Sequence, residues 1–131
     1  KTMLRLGKKS SKVSVVSDQM GSPTYATDLA EVILGIINIK YYQDKNQSTQ
    51  VFHYSNEGEI SWYEFAKEIF KLAEVDCKVS AITTEQYPTP ARRPMNTIMD
   101  KHKMIKAFSV GTSDWKESLN ICMTILREHI S

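Results

Sequence analysis

Apolar residues along this chain recur at two spacings, every three to four residues or every second residue, and the change from one to the other predicts a succession of helices and short strands. Thr2-Met3-Leu4-Arg5-Leu6 reads as a helix ended by Gly7. Val13 to Val16 reads as a short strand, and Asp18 to Pro23, rich in turn formers, as a loop. Thr27 is placed to cap a long helix carrying Leu29, Val32, Ile33, Ile36 and Ile37 on one face to be buried. After a polar loop from Asp44 to Thr49, Val51-Phe52-His53-Tyr54 is expected to be a strand. Ser61 and Glu64 form a capping box, with Ile60 and Phe65 as its hydrophobic staple, and the helix so started should bury Trp62, Phe65, Ala66, Ile69 and Ala73. Val79 to Ile82 is a further short strand, and the proline-rich stretch Tyr87 to Asn96 an extended loop. Asp100 is placed to cap a short helix through Ala107. Asp114 and Glu117 open a last helix with Trp115, Leu119, Cys122, Leu126 and Ile130 as its buried stripe.

Strands alternating with helices make the class α/β, or a mixed α+β arrangement. The strands are too few and too short for a complete doubly wound sheet. The 131 residues are read as one region, 1–131, with 41% hydrophobic and 24% charged residues, the composition of an ordinary soluble domain. Thr2 to Leu6 is helical from the outset, so the sequence is expected to be a piece of a longer chain. A net charge of +2 gives no argument for a nucleic-acid partner. The basic run Lys8-Lys9-Ser10-Ser11-Lys12 is short and reads as a solvated loop. No apolar run approaches the ~18 residues a membrane span needs. Cys77 and Cys122 match no CxxC or zinc spacing and are expected to be free thiols in a reducing cytoplasm.

Several kinds of chemistry are missing. A dinucleotide needs a glycine-rich turn at a helix N-terminus, where bare backbone lets the pyrophosphate approach. Gly7, Gly21, Gly35, Gly58 and Gly111 are isolated, so no cofactor-binding residue is assigned. Tyr63/Lys67 and Tyr41/Lys45 have the four-residue spacing by which an ammonium can lower a phenol pKa. Such spacing arises readily by chance among six tyrosines, and neither pair is assigned. His53, His102 and His129 are scattered, and the acids are spread over helix surfaces. No catalytic residue and no metal ligand is assigned.

Two segments are more polar than their surroundings require. Asp18-Gln19-Met20-Gly21-Ser22-Pro23-Thr24 follows a strand and precedes a helix, where α/β folds place ligand loops. Asp18 and Gln19 could meet sugar hydroxyls or a base; the alternative is a turn held by its own Asx-type hydrogen bonds. In Pro90-Ala91-Arg92-Arg93-Pro94-Met95-Asn96, two adjacent guanidiniums on a proline-stiffened loop could clamp a diphosphate. The alternative is a surface pair making ordinary salt bridges.

Together these segments are specific. Asp18 to Thr24 followed by Asp28-Leu29-Ala30 resembles the pattern D-Q-x-G-x-P-T-x-x-x-D-L-A. Asn56-Glu57-Gly58 followed by Ser61 to Ala66 resembles N-x-G…S-W-Y-E-F-A. Arg92 to Thr97 with Asp100 and Lys103 resembles R-R-P-x-N-S-x-L-D-x-x-K, with Thr97 for Ser and Met99 for Leu. Asp114-Trp115 with Leu119 resembles D-W-x-x-x-L. The four motifs, in this order, resemble the dTDP-4-dehydrorhamnose reductase family of extended short-chain dehydrogenases.

The resemblance implies a parent with an N-terminal Rossmann domain that carries the glycine loop and the catalytic Tyr-x-x-x-Lys. That parent reduces dTDP-6-deoxy-L-lyxo-4-hexulose with NADPH or NADH to dTDP-L-rhamnose, in the cytoplasm, for the cell envelope. This chain would be its substrate-binding part, inactive alone, with that Rossmann domain and the dTDP-sugar as partners. By similarity Arg93 holds the diphosphate and Arg92 assists. Gln19 and Asp18 contact ligand, Asn96 orients the arginine loop, and Val15 and Val16 present backbone groups to the thymine. Asp28 is expected to support the start of its helix. The family also suggests a homodimer with magnesium at the contact, for which no residue here matches a ligand. The competing reading is a non-catalytic regulatory or binding module of the same fold.

Overall fold

The computed structural model describes residues 1–39 and 48–128. Two strands, β1 (Lys12–Val16) and β4 (Lys78–Ile82), run parallel, with Val13 opposite Val79 and Val15 opposite Ala81. Parallel neighbours require a long crossover. Here it passes through β2 (Met20–Gly21), α2 (Ala26–Asn38), β3 (Ile60–Ser61) and α3 (Trp62–Ala73). β2 and β3 pair antiparallel, Gly21 opposite Ile60. A first helix, α1 (Thr2–Lys9), precedes β1, and α4 (His102–Phe108) and α5 (Trp115–Glu128) follow β4. The class is the mixed α/β arrangement read from the sequence.

The core forms around α3. Ser61 caps this helix, its Oγ accepting from the Glu64 N–H at 3.1 Å. Ile60 is buried just before the cap, with Phe65 packed against its cluster, as the staple requires. Trp115, Leu119 and Met123 of α5 join Ile60, with Leu4 of α1 and Ile69 of α3 around them. Each fully buried side chain of this kind contributes about 1.5–3 kcal/mol. At the start of α5, Asp114 Oδ1 accepts from the Lys116 N–H at 2.8 Å. Asp100 does the same for α4, accepting from the His102 N–H at 2.9 Å.

Six expectations need correction. Gly7 does not end α1, which continues to Lys9. A Cβ on Gly7 would lie 2.7 Å from Phe70 Cε1, so glycine is there to let α1 lie against α3. Tyr25, not Thr27, occupies the N-cap of α2, with Asp28 in the first turn. The apolar face of α2 is only partly buried: Ile37 is 62% exposed and Leu29 and Ile33 are open, while Val32 and Ile36 are half-buried. Val51 to Tyr54 is not a strand, because no described strand lies beside it to supply hydrogen bonds. Trp62, at the first position of α3, is 46% exposed, and Phe70 takes the deep position further along. On α5 Trp115 and Leu119 are buried as expected, but Met123 takes the deep position expected of Cys122, which is half-buried beside it. Ile130, His129, the Tyr41/Lys45 pair and residues 44–47 of the polar loop lie outside the described residues.

Candidate functional site

Parallel pairing of β1 and β4 brings the chain ends that leave them side by side. The Ser17 N–H donates to the Ile82 carbonyl at 2.9 Å, continuing the ladder beyond β1. One step further, Asp18 meets Thr84. Asp18 Oδ2 accepts from the Thr84 N–H at 2.8 Å, and Oδ1 accepts from the Thr84 hydroxyl at 2.8 Å. Gln19 Nε2 donates to the same hydroxyl at 3.0 Å. These bonds, the backbone N–H first and the hydroxyl second, hold the Asp18 carboxyl below its ordinary range. A lone threonine at a strand end gave no sequence signal for this role.

A second tether lies a few residues on. The Met20 N–H donates to the Met95 carbonyl at 2.8 Å, and the Thr97 N–H to the Met20 carbonyl at 3.0 Å. The Thr97 hydroxyl reaches that same carbonyl at 3.0 Å. Asn96 therefore bridges alongside Met20, its Oδ1 accepting from the Ile98 N–H at 2.8 Å in a local turn. The turn containing Gln19 and the loop containing Arg93, far apart in sequence, are thus joined. Arg92 and Arg93 are exposed on the stretch between the two tethers. Among the described residues neither arginine is paired with a carboxylate.

Beside this junction is a cavity of about 440 Å³, walled by Val15, Val16, Ile82, Trp62, Phe65 and Tyr87, with α1 closing one side. The size suits a small ligand or the base of a nucleotide. Val15 and Val16 are thus on the cavity wall. The outer edge of β1 has no partner strand among the described residues. Tyr87 and Trp62 line this cavity although the sequence gives no sign of it, since Tyr87 lies within the proline-rich loop and Trp62 has the pattern of a core residue.

A separate polar cluster anchors α2. Asn56 is fully buried, and its Oδ1 accepts from the Tyr25 N–H at 3.1 Å. Its Nδ2 reaches Asp28 Oδ2 at 2.5 Å and Ser118 Oγ at 2.7 Å. Lys101 Nζ donates to the Asn56 carbonyl at 3.1 Å and pairs with Glu57 at 2.9 Å. A hydrogen bond from the Thr112 hydroxyl, then one from Lys101, lowers the Glu57 pKa. Asp28 supports the start of its helix by tying it to α5. Nearby Gly58 has φ +87°, and a Cβ there would lie 2.6 Å from Trp115, so this turn requires glycine.

The Tyr63/Lys67 pair does not form a proton-donor geometry. Lys67 Nζ sits over the Tyr63 ring, 5.1 Å from its centre, as an ordinary surface cation–π contact.

The chain matches the model of the RmlD substrate binding domain over residues 1–128. It is 41% identical over 125 residues to a dTDP-4-dehydrorhamnose reductase of Aggregatibacter actinomycetemcomitans, covering 91% of this chain and 42% of that protein. A crystal structure of a dTDP-4-dehydrorhamnose reductase from Clostridium acetobutylicum superposes with a TM-score of 0.82 at 41% identity, covering 96% of this chain and 42% of that one. A second, from Bacillus anthracis in complex with NADP, superposes with a TM-score of 0.79 at 37% identity, covering 91% of this chain and 39% of that one. The chain therefore spans about two fifths of the length of these relatives.

Proposed function

The chain belongs to the RmlD substrate-binding domain family, and from that membership we propose that residues 1–131 are the sugar-nucleotide-binding region of an NADPH- or NADH-dependent dTDP-4-dehydrorhamnose reductase. The reaction is the reduction of dTDP-6-deoxy-L-lyxo-4-hexulose to dTDP-L-rhamnose. One observation carries the site assignment: the Met20 backbone pairs with Met95 and Thr97, so the arginine loop is fixed beside the Asp18–Gly21 turn, and Tyr87, where the loop begins, lines the cavity. Arg93, exposed and without a carboxylate partner among the described residues, grips the diphosphate, and Arg92 assists. Val15 and Val16 offer the thymine a wall and the open edge of β1. Asp18 and Gln19 act by holding their turn against Thr84, which leaves their remaining hydrogen-bonding capacity for ligand. Asn96 orients the loop through its local turn.

The five glycines of the sequence are isolated from one another, and none is assigned to a dinucleotide. No reduction step is assigned to this chain. The cofactor belongs with an N-terminal Rossmann domain, which we propose also covers the open face of α2. Free thiols at Cys77 and Cys122 suit a cytoplasmic setting. Among the described residues no helix is long and apolar enough to cross a membrane.

Arg93→Ala tests the assignment by calorimetric titration of the whole protein with dTDP-L-rhamnose. Loss of a charge-assisted clamp should cost about 1.5–3 kcal/mol, roughly 10- to 150-fold in Kd. An unchanged Kd would remove Arg93 from the site.

A further inference from the structure

We infer that Thr84 is a positioning residue, whose hydroxyl fixes the arginine loop and Tyr87 at the mouth of the cavity and thereby sets affinity for the sugar nucleotide. The inference rests on the reading of this cavity given above.

The loop between β4 and Thr97 is held at both ends by the same turn. The far tether, at Met95 and Thr97, has a backbone ladder at its centre, one that most residue types could make. The near tether is specific to the side chain. The Thr84 hydroxyl donates to Asp18 Oδ1 at 2.8 Å and accepts from Gln19 Nε2 at 3.0 Å, so its proton and a lone pair are both used. It also lies 3.8 Å from Met95 Sδ, at the other tether. Thr84 therefore touches both the Asp18–Gln19 turn and, at Met95, the far end of the arginine loop.

Its backbone carries the effect to the cavity. The Tyr87 N–H donates to the Thr84 carbonyl at 3.1 Å, and the Thr83 N–H donates to Gln86 Oε1 at 2.9 Å. This short turn places Tyr87 on the cavity wall. Beyond it, residues 88 to 97 are exposed and lack a packed core of their own. A loop of this kind keeps its shape through its ends, and ordering it on binding lowers affinity unless the ends are already fixed. Valine at position 84 keeps the shape and the N–H bond to Asp18 but can neither donate to Asp18 nor accept from Gln19. Serine keeps both.

The test uses the whole protein, with dTDP-L-rhamnose titrated by calorimetry and NADPH-dependent turnover measured alongside. Thr84→Val should weaken Kd by about 10-fold and raise KM by a similar factor, with kcat within about two-fold, because the loop acts on binding and not on the reacting carbon. Thr84→Ser should restore both constants. A purely structural role would instead lower the unfolding midpoint and leave Kd unchanged in the folded protein; that result overturns the inference, as does a serine variant as weak as the valine one. Arg93→Ala separates the two readings. If it weakens binding and Thr84→Val does not, only the positioning role falls. If both leave Kd unchanged, the sugar-nucleotide reading falls with it.

Discussion

The Asp18–Gly21 turn and the helix that follows it, α2, are neighbours in sequence but are held in opposite ways. The turn is polar, and its partners are within this chain: Thr84 takes Asp18 and Gln19, and Met95 and Thr97 take the Met20 backbone. Beyond its first turn, α2 is largely apolar, and much of that surface is left open by the described residues. Leu29, Ile33, Leu34 and Ile37 are all exposed, as is Val51 at 68%. Contiguous apolar surface of this kind marks an interface. The difference teaches that the turn satisfies its bonds among the described residues, whereas α2 leaves open the apolar face that we propose an N-terminal domain covers. The buried Asn56–Asp28–Ser118 cluster fixes the root of α2 to α5.

The comparison breaks most easily at α2. The paired substitution Ile33→Glu with Ile37→Glu should change the stability of this chain alone by less than about 0.5 kcal/mol, because both sites are already solvated. In the whole protein the same pair should cost roughly 4 kcal/mol or more, since two charges would be buried against the partner. Denaturant unfolding of both forms reads the difference, and equal small effects would mean that nothing covers this face.

Asn56→Ala should have the next largest effect, about 3 kcal/mol by urea unfolding, because it leaves Asp28, Ser118 and the Tyr25 N–H without their buried partner. This loss should appear equally in the isolated chain and in the whole protein. A cost confined to the whole protein would place the root of α2 in the interface as well.

The smallest effect concerns pH. The Asp18 carboxyl is held below 3.8 by its bonds from Thr84, so it binds protons less readily folded than unfolded. Its contribution is therefore present above that ordinary value and is lost as pH falls through the lower, folded one. The Thr84 amide resonance should follow this titration with a midpoint below 3.8, and Asp18→Asn should abolish it. A Thr84 midpoint at or above the ordinary value would show the tether open in solution.

What the sequence disclosed follows the range of the forces involved. The α3 start was legible because Ser61, Glu64 and Phe65 act within one turn of helix. β1 and β4 were legible from β-branched residues. The helical period of α2 was also legible, but a period reports which face is apolar and not what covers it, so burial was expected where exposure is found. Val51 to Tyr54 shows the same limit for strands, since strand residues become a strand only beside a hydrogen-bonding neighbour. In the site, the arginine loop and the Gln19 turn were each visible as polar segments, and their adjacency was expected only from the family resemblance. Thr84 was not visible at all, because its partners are more than sixty residues away and are reached only once β1 and β4 have paired. Trp62 and Tyr87 were misread or passed over for a similar reason: an aromatic on a cavity wall has the same sequence signature as one in a core.

Backbone amide exchange in the whole protein, with and without saturating dTDP-L-rhamnose, tests the central claim most directly. The account predicts slowed exchange in two separate stretches, residues 15–20 and 85–97, with α2 unaffected by the ligand. Slowing confined to other parts of the chain, or protection of only one of those two stretches, would contradict it.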